Sequence, residues 1–413
     1  MRRDALVALA VLLAGWALTL WVAPWSDERV NDLFVYRAFA KPVLSGELPY
    51  RDVAFEYPPL AAPAIVLPGL AGSGEEAFRA AFAAWTLAAA AAMVLLCGAL
   101  ARATGGDARR AMLAAALMPL LCGALVRTHF DLFPMALLLA GLLLLCVERP
   151  RAGLAVLGLG AMTKGFPLAT VPLALVWLFA RGLRREAWQA ALACAAVIAA
   201  VAGAAVTASP GGAADAIRYH LDRPAQIEST PALVLLGLDG AGGGDAESVS
   251  SHRSDGLLHP ASDAVTSLFA ATFVALVGFL CVVLAGRRAG HGHDAPRREL
   301  VIASLAATVA FALLGKVLSP QFVIWVLPLG ALAFAWRMYA LTAAVALAAV
   351  LTQIEFPAHY FDVVGREPLA LALVALRNLT LLAVLVLAVR ELQPRRHEEL
   401  LDCGRAPLAV RLD

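Results

Sequence analysis

Three acids, Asp27, Glu28 and Asp32, follow directly on an apolar run of membrane length, in the segment SDERVNDLFVYRAFAKPVLSGELPYRDVAFEYPPL from Ser26 to Leu60. A carboxylate at such a boundary can take the proton of a substrate hydroxyl where the chain leaves the bilayer. Farther along stand Arg127, His129, Asp131, Lys164, Arg223, Glu228, Lys316 and Glu355, each at or near the end of an apolar run or in a polar loop. Ionisable groups at membrane depth are costly unless they face a cavity or a partner, and snorkelling or pairing at the interface is the plainer alternative for any one of them.

The elements that must position these groups follow from composition. Hydrophobic residues make up 61% of the chain and charged residues 15%, which is the balance of a polytopic membrane protein. The net charge of +2 gives no bulk basic field, so nucleic acid is not expected as a partner; the partners are membrane lipids and whatever the site binds. The six cysteines, Cys97, Cys122, Cys146, Cys194, Cys281 and Cys403, show no zinc or disulfide spacing and read as small core residues. Neither a metal nor a cofactor is expected.

Arg2 and Arg3 ahead of the first apolar run hold the N-terminus in the cytoplasm, and the run reads as a retained helix rather than a cleaved signal. Counting apolar runs gives an all-α chain with about 12 transmembrane helices, both termini inside, and arginines gathered in the inner loops. Residues 1–390 then form one transmembrane domain and 391–413 a cytoplasmic tail. The first outer loop is 25–60 and the second 209–261, whose Gly-rich part, 238–256, is expected to be mobile with no core to bury. His291 and His293 read as a solvated pair in a basic inner loop. All three lysines of the chain, Lys41, Lys164 and Lys316, fall on the outer side, against the usual trend, which points to something anionic there.

Within the first loop, Ser26 reads as the cap of a helix with Asp27 and Glu28 in its first turn, and Asp32 shares a face with Tyr36. Pro42 is expected to end or kink that helix near Ala40. The helix-start position gives Asp27 and Glu28 a sufficient structural role and leaves Asp32 as the favoured base. Trp21, Trp25, Tyr36, Tyr50, Tyr57 and Trp325 are accounted for by an interfacial belt, with sugar stacking open for one or two of them.

The runs Asp32-Leu33-Phe34-Val35-Tyr36, Pro49-Tyr50 and Phe55-Glu56-Tyr57-Pro58-Pro59-Leu60, then Arg127-Thr128-His129-Phe130-Asp131, Thr163-Lys164-Gly165-Phe166-Pro167, Arg223-Pro224-Ala225-Gln226-Ile227-Glu228-Ser229 and Leu318-Ser319-Pro320-Gln321-Phe322, together resemble bacterial GT-C glycosyltransferases. They resemble most the glycosyltransferase family 87 group, which includes actinobacterial phosphatidylinositol mannoside mannosyltransferases. The resemblance implies a GT-C-type fold and transfer of a sugar, most often mannose, from a polyprenyl-phosphate donor to a lipid or glycan acceptor. The reaction would run at the outer face of the cytoplasmic membrane with Asp32 as general base. The leaving lipid phosphate needs cationic donors, for which Lys164, Lys316, Arg223 and His129 are the candidates. Tyr36, Tyr57, Arg127, Asp131, Gln226, Glu228 and Gln321 are candidates for acceptor or sugar contacts; Asp131 could instead orient His129 or Arg127, and Glu228 could pair with Arg223. A secondary transporter or a flippase of a lipid-linked or anionic substrate is the rival reading, but its site should lie near the bilayer midplane between related repeats, and the charges here gather at one boundary.

Overall fold

The computed structural model describes residues 2–72, 74–286 and 295–393. The histidine pair at 291 and 293, Cys403 and the tail from residue 394 onward lie outside the described residues. The chain is 76% helical, which makes it all-α with one small sheet. Among the described residues five helices are long and apolar enough to cross a membrane alone: Arg2–Trp21, Glu75–Ala103, Arg184–Ala208, Ser262–Gly286 and Pro368–Glu391.

Around them the remaining apolar runs break into shorter helices. The run from Met112 to Val126 is interrupted at Leu117 and Gly123 and becomes Ala108–Ala116, Met118–Cys122 and Leu125–Thr128. The Ala295–Leu314 and Val323–Ala335 helices are enclosed almost entirely and form the centre of the bundle. By contrast Ser262–Gly286 fully buries only Leu280 and Leu284, packs Phe273, Leu276 and Val277 partly against the core, and leaves large apolar residues such as Leu268, Val274 and Val282 exposed, as on a lipid-facing helix. Helices Leu132–Cys146 and Pro150–Thr163 approach closely because Gly141 and Gly153 face one another; a Cβ at Gly153 would sit 3.0 Å from the Gly141 carbonyl oxygen.

Two ends of this bundle differ in charge. At one, Arg181 and Arg297 both meet Glu148 at 3.3 Å, Arg110 reaches the Tyr339 hydroxyl at 3.2 Å, and Arg109 lies 3.8 Å from Asp4 of the first helix. Arginines from five helix junctions and the N-terminal helix therefore share one face. The same helices carry Lys164, Gly165 and Lys316 at their other end, where the cavity opens.

The first loop differs from expectation at its start. Residues 22–32 are not helical; the helix is Leu33–Leu44, and Asp32 occupies its N-cap position without bonding the backbone, because the Asn31 side chain caps Leu33 N–H instead. Pro42 does not stop the helix at Ala40. It lies in the last turn, where the chain closes through Ser45 N–H bonds to Lys41 and Pro42 carbonyls.

The Gly-rich segment also departs from expectation, since part of it has a core. Strands β1 (Ala225–Gln226), β2 (Glu247–Ser251) and β3 (Ser254–Leu258) form an antiparallel sheet in the order β1-β3-β2. Leu257 is buried with Ile227, Leu235 and Val374. Gly256 is required where β3 crosses β1, because a Cβ there would lie 2.9 Å from the Ala225 carbonyl oxygen. The alternation of small polar residues over 247–251 masked a strand whose partner lies beyond a two-residue turn.

Candidate active site

The cavity, of about 690 Å³, is walled by the first loop, the Lys164 loop, the sheet with its preceding helix, and the Lys316 loop. That is room for a drug-sized ligand, and so for a glycosyl phosphate with part of an acceptor. The walls are tied through main chain: Leu60 N–H bonds Met162 O and Gln226 N–H bonds Lys316 O, both at 2.9 Å.

Of the three acids that open the first loop, Asp27, Glu28 and Asp32, two are consumed by arginines. Asp27 pairs with Arg29 at 2.9 Å, and Glu28 is held between Arg127 and Arg79. Asp32 alone of the three lines the cavity. Its Oδ2 accepts the Tyr36 hydroxyl at 3.1 Å and lies 3.5 Å from His129 Nε2, while Oδ1 has no hydrogen-bond partner among the described residues. Tyr36 is sealed behind Asp32 by Phe82, Phe130 and Tyr57, so it positions the carboxylate and does not reach a ligand.

His129 is buried, and its tautomer follows from its neighbours. The Thr128 hydroxyl spends its proton on Ala124 O at 2.9 Å and so accepts from His129 Nδ1–H, also at 2.9 Å. In the neutral ring, Nε2 then presents a lone pair toward Asp32. Burial depresses the imidazolium below its usual 6.5, outweighing the pull of Asp32 and Asp131.

Lys164 also has its charge answered. Its ammonium bonds Asp131 Oδ1 at 2.7 Å amid the rings of Phe130, Phe322 and Trp325, at 4.8 to 5.5 Å from their centres. Asp131 is fully buried and accepts Trp325 Nε1–H on the same oxygen at 2.6 Å, so it orients neither His129 nor Arg127. Trp325 is correspondingly no interfacial residue: it is 1% exposed, stacked between Phe166 and Phe322. Tyr36 and Tyr50 are likewise interior, whereas Trp21 is exposed as a belt residue would be.

Arg223 and Lys316 stand differently. Neither has a carboxylate partner among the described residues: Arg223 Nη2 bonds Ser254 Oγ at 2.7 Å, and the Lys316 ammonium bonds only the Leu221 carbonyl. The Arg223 Nε is buried without a partner. Burial first, and Arg223 next, lower the Lys316 ammonium from its usual 10.5. Two neighbouring cations on a cavity wall, with Asp222 and Asp263 acting on Lys316 only from beyond ion-pair distance, are an arrangement that an anion relieves.

Glu228 lines the cavity's inner wall but pairs with Arg377, not Arg223. Arg377 Nη2 bonds the Glu228 carbonyl at 2.7 Å, and Nη1 meets the Glu228 carboxylate at 3.2 Å and that of Glu355 at 3.5 Å. Gln226 Nε2 donates to Glu228 at 2.9 Å, and Ser319 Oγ donates to Gln226 at 3.1 Å. Tyr57 and Gln321 line the cavity; Arg127 does not, being buried against Thr19 O and Glu28.

A family model for glycosyltransferase family 87 matches residues 55–320, more than half of the chain. The chain belongs to glycosyltransferase family 87. Neither a curated protein nor a solved structure matches it. The family 87 span takes in Glu56, His129, Lys164, Arg223, Glu228 and Lys316, and leaves Asp32, Gln321 and Arg377 outside. As a member of that family the chain is a membrane glycosyltransferase, an enzyme that uses a sugar donor and an acceptor.

Two residues of the cavity, Glu56 and Arg253, and Arg377 behind its wall were not assigned a role in this glycosyltransferase from sequence. Glu56 stands within a run of aromatics and prolines, and an acid in such company was the available signal. Arg253 gave none. Arg377 stood out as a charge in the middle of an apolar run, but its partners come from segments far away in sequence.

Proposed function

We propose that the chain transfers a sugar, mannose by family resemblance, from a polyprenyl-phosphate donor to a lipid or glycan acceptor, with Asp32 as general base. The observation that carries this reading is that Asp32, with one unoccupied carboxylate oxygen, shares one cavity with Arg223 and Lys316, neither of which is ion-paired to a carboxylate among the described residues. The acceptor hydroxyl attacks the anomeric carbon, its proton passes to Asp32, and the sugar's bond to the phosphate oxygen breaks. Arg223 and Lys316 hold the departing phosphate, whose charge grows as that bond lengthens. Lys164 and His129 shape the wall, the lysine's charge being spent on Asp131 and the imidazole N–H on Thr128, while Tyr36 holds the base.

The arginine-rich end faces the cytoplasm in this reading, by the positive-inside rule, and the cavity opens at the outer face of the cytoplasmic membrane. Lipid-facing surface on Ser262–Gly286 beside the cavity residues Thr266, Ala270 and Phe273 suits a donor that stays in the bilayer. Membranes containing the chain, supplied with polyprenyl-phosphate-mannose or with a nucleotide-mannose, test the donor. Transfer from the lipid-linked sugar alone is expected; transfer from the nucleotide sugar alone would overturn the reading.

A further inference from the structure

Glu56 and the β2–β3 turn face the cavity but serve neither base nor phosphate. Strands β2 and β3 pair up to Ser251 opposite Ser254, so the turn consists of His252 and Arg253 alone. Both have positive φ, 50° and 53°. A two-residue turn with that backbone is the natural place for Asn-Gly, and β-carbon-bearing residues such as His and Arg are strained there. Strain of this kind persists where the side chains themselves are needed.

Those side chains reach the cavity wall. Arg253 Nη1 meets Glu56 Oε2 at 2.9 Å, with the guanidinium lying 4.6 Å over the Phe39 ring. His252 packs against Tyr219, whose hydroxyl bonds the His252 carbonyl. His220 meets the Glu56 carbonyl at 2.8 Å, so the turn, the preceding helix and the first loop close as one unit. The base of the hairpin is fixed from behind, where Tyr360 donates to Asp255 at 2.7 Å and Arg366 to Ala246 O at 2.8 Å.

We propose that Glu56, His252 and Arg253 form the acceptor subsite and that it takes a neutral, polyhydroxylated head group; this rests on the cavity being a two-substrate glycosyl-transfer site. The charge of Arg253 is already answered by Glu56, so this end of the cavity does not call for an anion. What the pair offers is a carboxylate acceptor beside guanidinium donors, with Ser254 and Tyr219 adjacent, and that alternation matches neighbouring sugar hydroxyls. The cations Arg223 and Lys316 remain for the phosphate.

The double substitution His252→Asn with Arg253→Gly separates recognition from folding, since it gives the turn its preferred residues while removing both side chains. In the purified full-length chain the relief of the turn is set against loss of the Glu56 ion pair, so it is expected to keep a cooperative melting transition, to raise the acceptor KM about ten-fold or more, and to leave the donor KM within about two-fold. Glu56→Gln should raise the acceptor KM in the same way while retaining most of kcat. An unchanged acceptor KM in the double variant, or a loss confined to kcat in Glu56→Gln, overturns the assignment. Thermal protection by methyl hexosides reads the subsite without any donor, so it stands apart from the polyprenyl-phosphate reading. Protection of the wild type that the double variant loses supports the subsite; equal protection of both, or none of the wild type, overturns it.

Discussion

Lys164 and Asp131 are bound to each other at 2.7 Å at the cavity wall, with Asp131 fully buried and one of its oxygens otherwise unpartnered. Removing the lysine strands a buried carboxylate, which costs about 3–5 kcal/mol in comparable pairs. Lys164→Met is therefore expected to lower Tm markedly and to lose activity through the fold. Thermal unfolding in detergent checks this, and Lys164→Met combined with Asp131→Leu should recover part of the loss in Tm.

Arg223 and Lys316 are expected to behave in the opposite way, because no carboxylate depends on them. Arg223→Ala and Lys316→Ala should each raise the donor KM about ten-fold to a hundred-fold with little change in Tm. Steady-state rates at varied donor concentration, run beside melting curves, distinguish these variants from Lys164→Met.

Arg377 joins the last long helix to the cavity wall through Glu228, and all three members of the Glu228, Arg377 and Glu355 group are buried. Arg377→Met should cost about 3–5 kcal/mol by leaving the adjoining Glu228 and Glu355 carboxyl groups, buried together, without their cation. A triple variant that also carries Glu228→Gln and Glu355→Gln is expected to melt above Arg377→Met, and comparison of the two by calorimetry tests that order.

Burial holds the His129 imidazolium below its usual 6.5, so below that pH the unfolded chain binds a proton that the folded chain resists. Stability should thus fall as pH drops through 6.5, with a slope approaching about 1.4 kcal/mol per pH unit from this group. His129→Gln should flatten that part of the Tm profile between pH 7.5 and 5.5. An unchanged slope would remove His129 as its cause.

Much of the site was legible in the sequence because membrane-length hydropathy brackets polar residues. Asp32, Lys164, Arg223 and Lys316 stood out as charges at the ends of apolar runs, and the structure places all four on one cavity. Their partners were not legible, since pairing is decided by contacts distant in sequence: Asp131 with Lys164 and Trp325, Glu228 with Arg377, Glu28 with Arg127. The helix start was misplaced for a local reason, as Asn31 competes with Ser26 to cap and wins beside Leu33. In the Gly-rich stretch, turn-forming composition hid the local β2–β3 hairpin, and the pairing of β3 with β1 brings in a segment more than twenty residues away along the chain.

In the proposed transfer the proton goes to Asp32, which lines the cavity with one free oxygen while Asp27 and Glu28 are spent on arginines. The most direct measurement is sugar transfer by Asp32→Asn in membranes supplied with polyprenyl-phosphate-mannose, at matched expression and with Tm verified. A fall in kcat of about 10²–10⁴ with the donor KM largely retained is the predicted result. Transfer at near wild-type rates would contradict it.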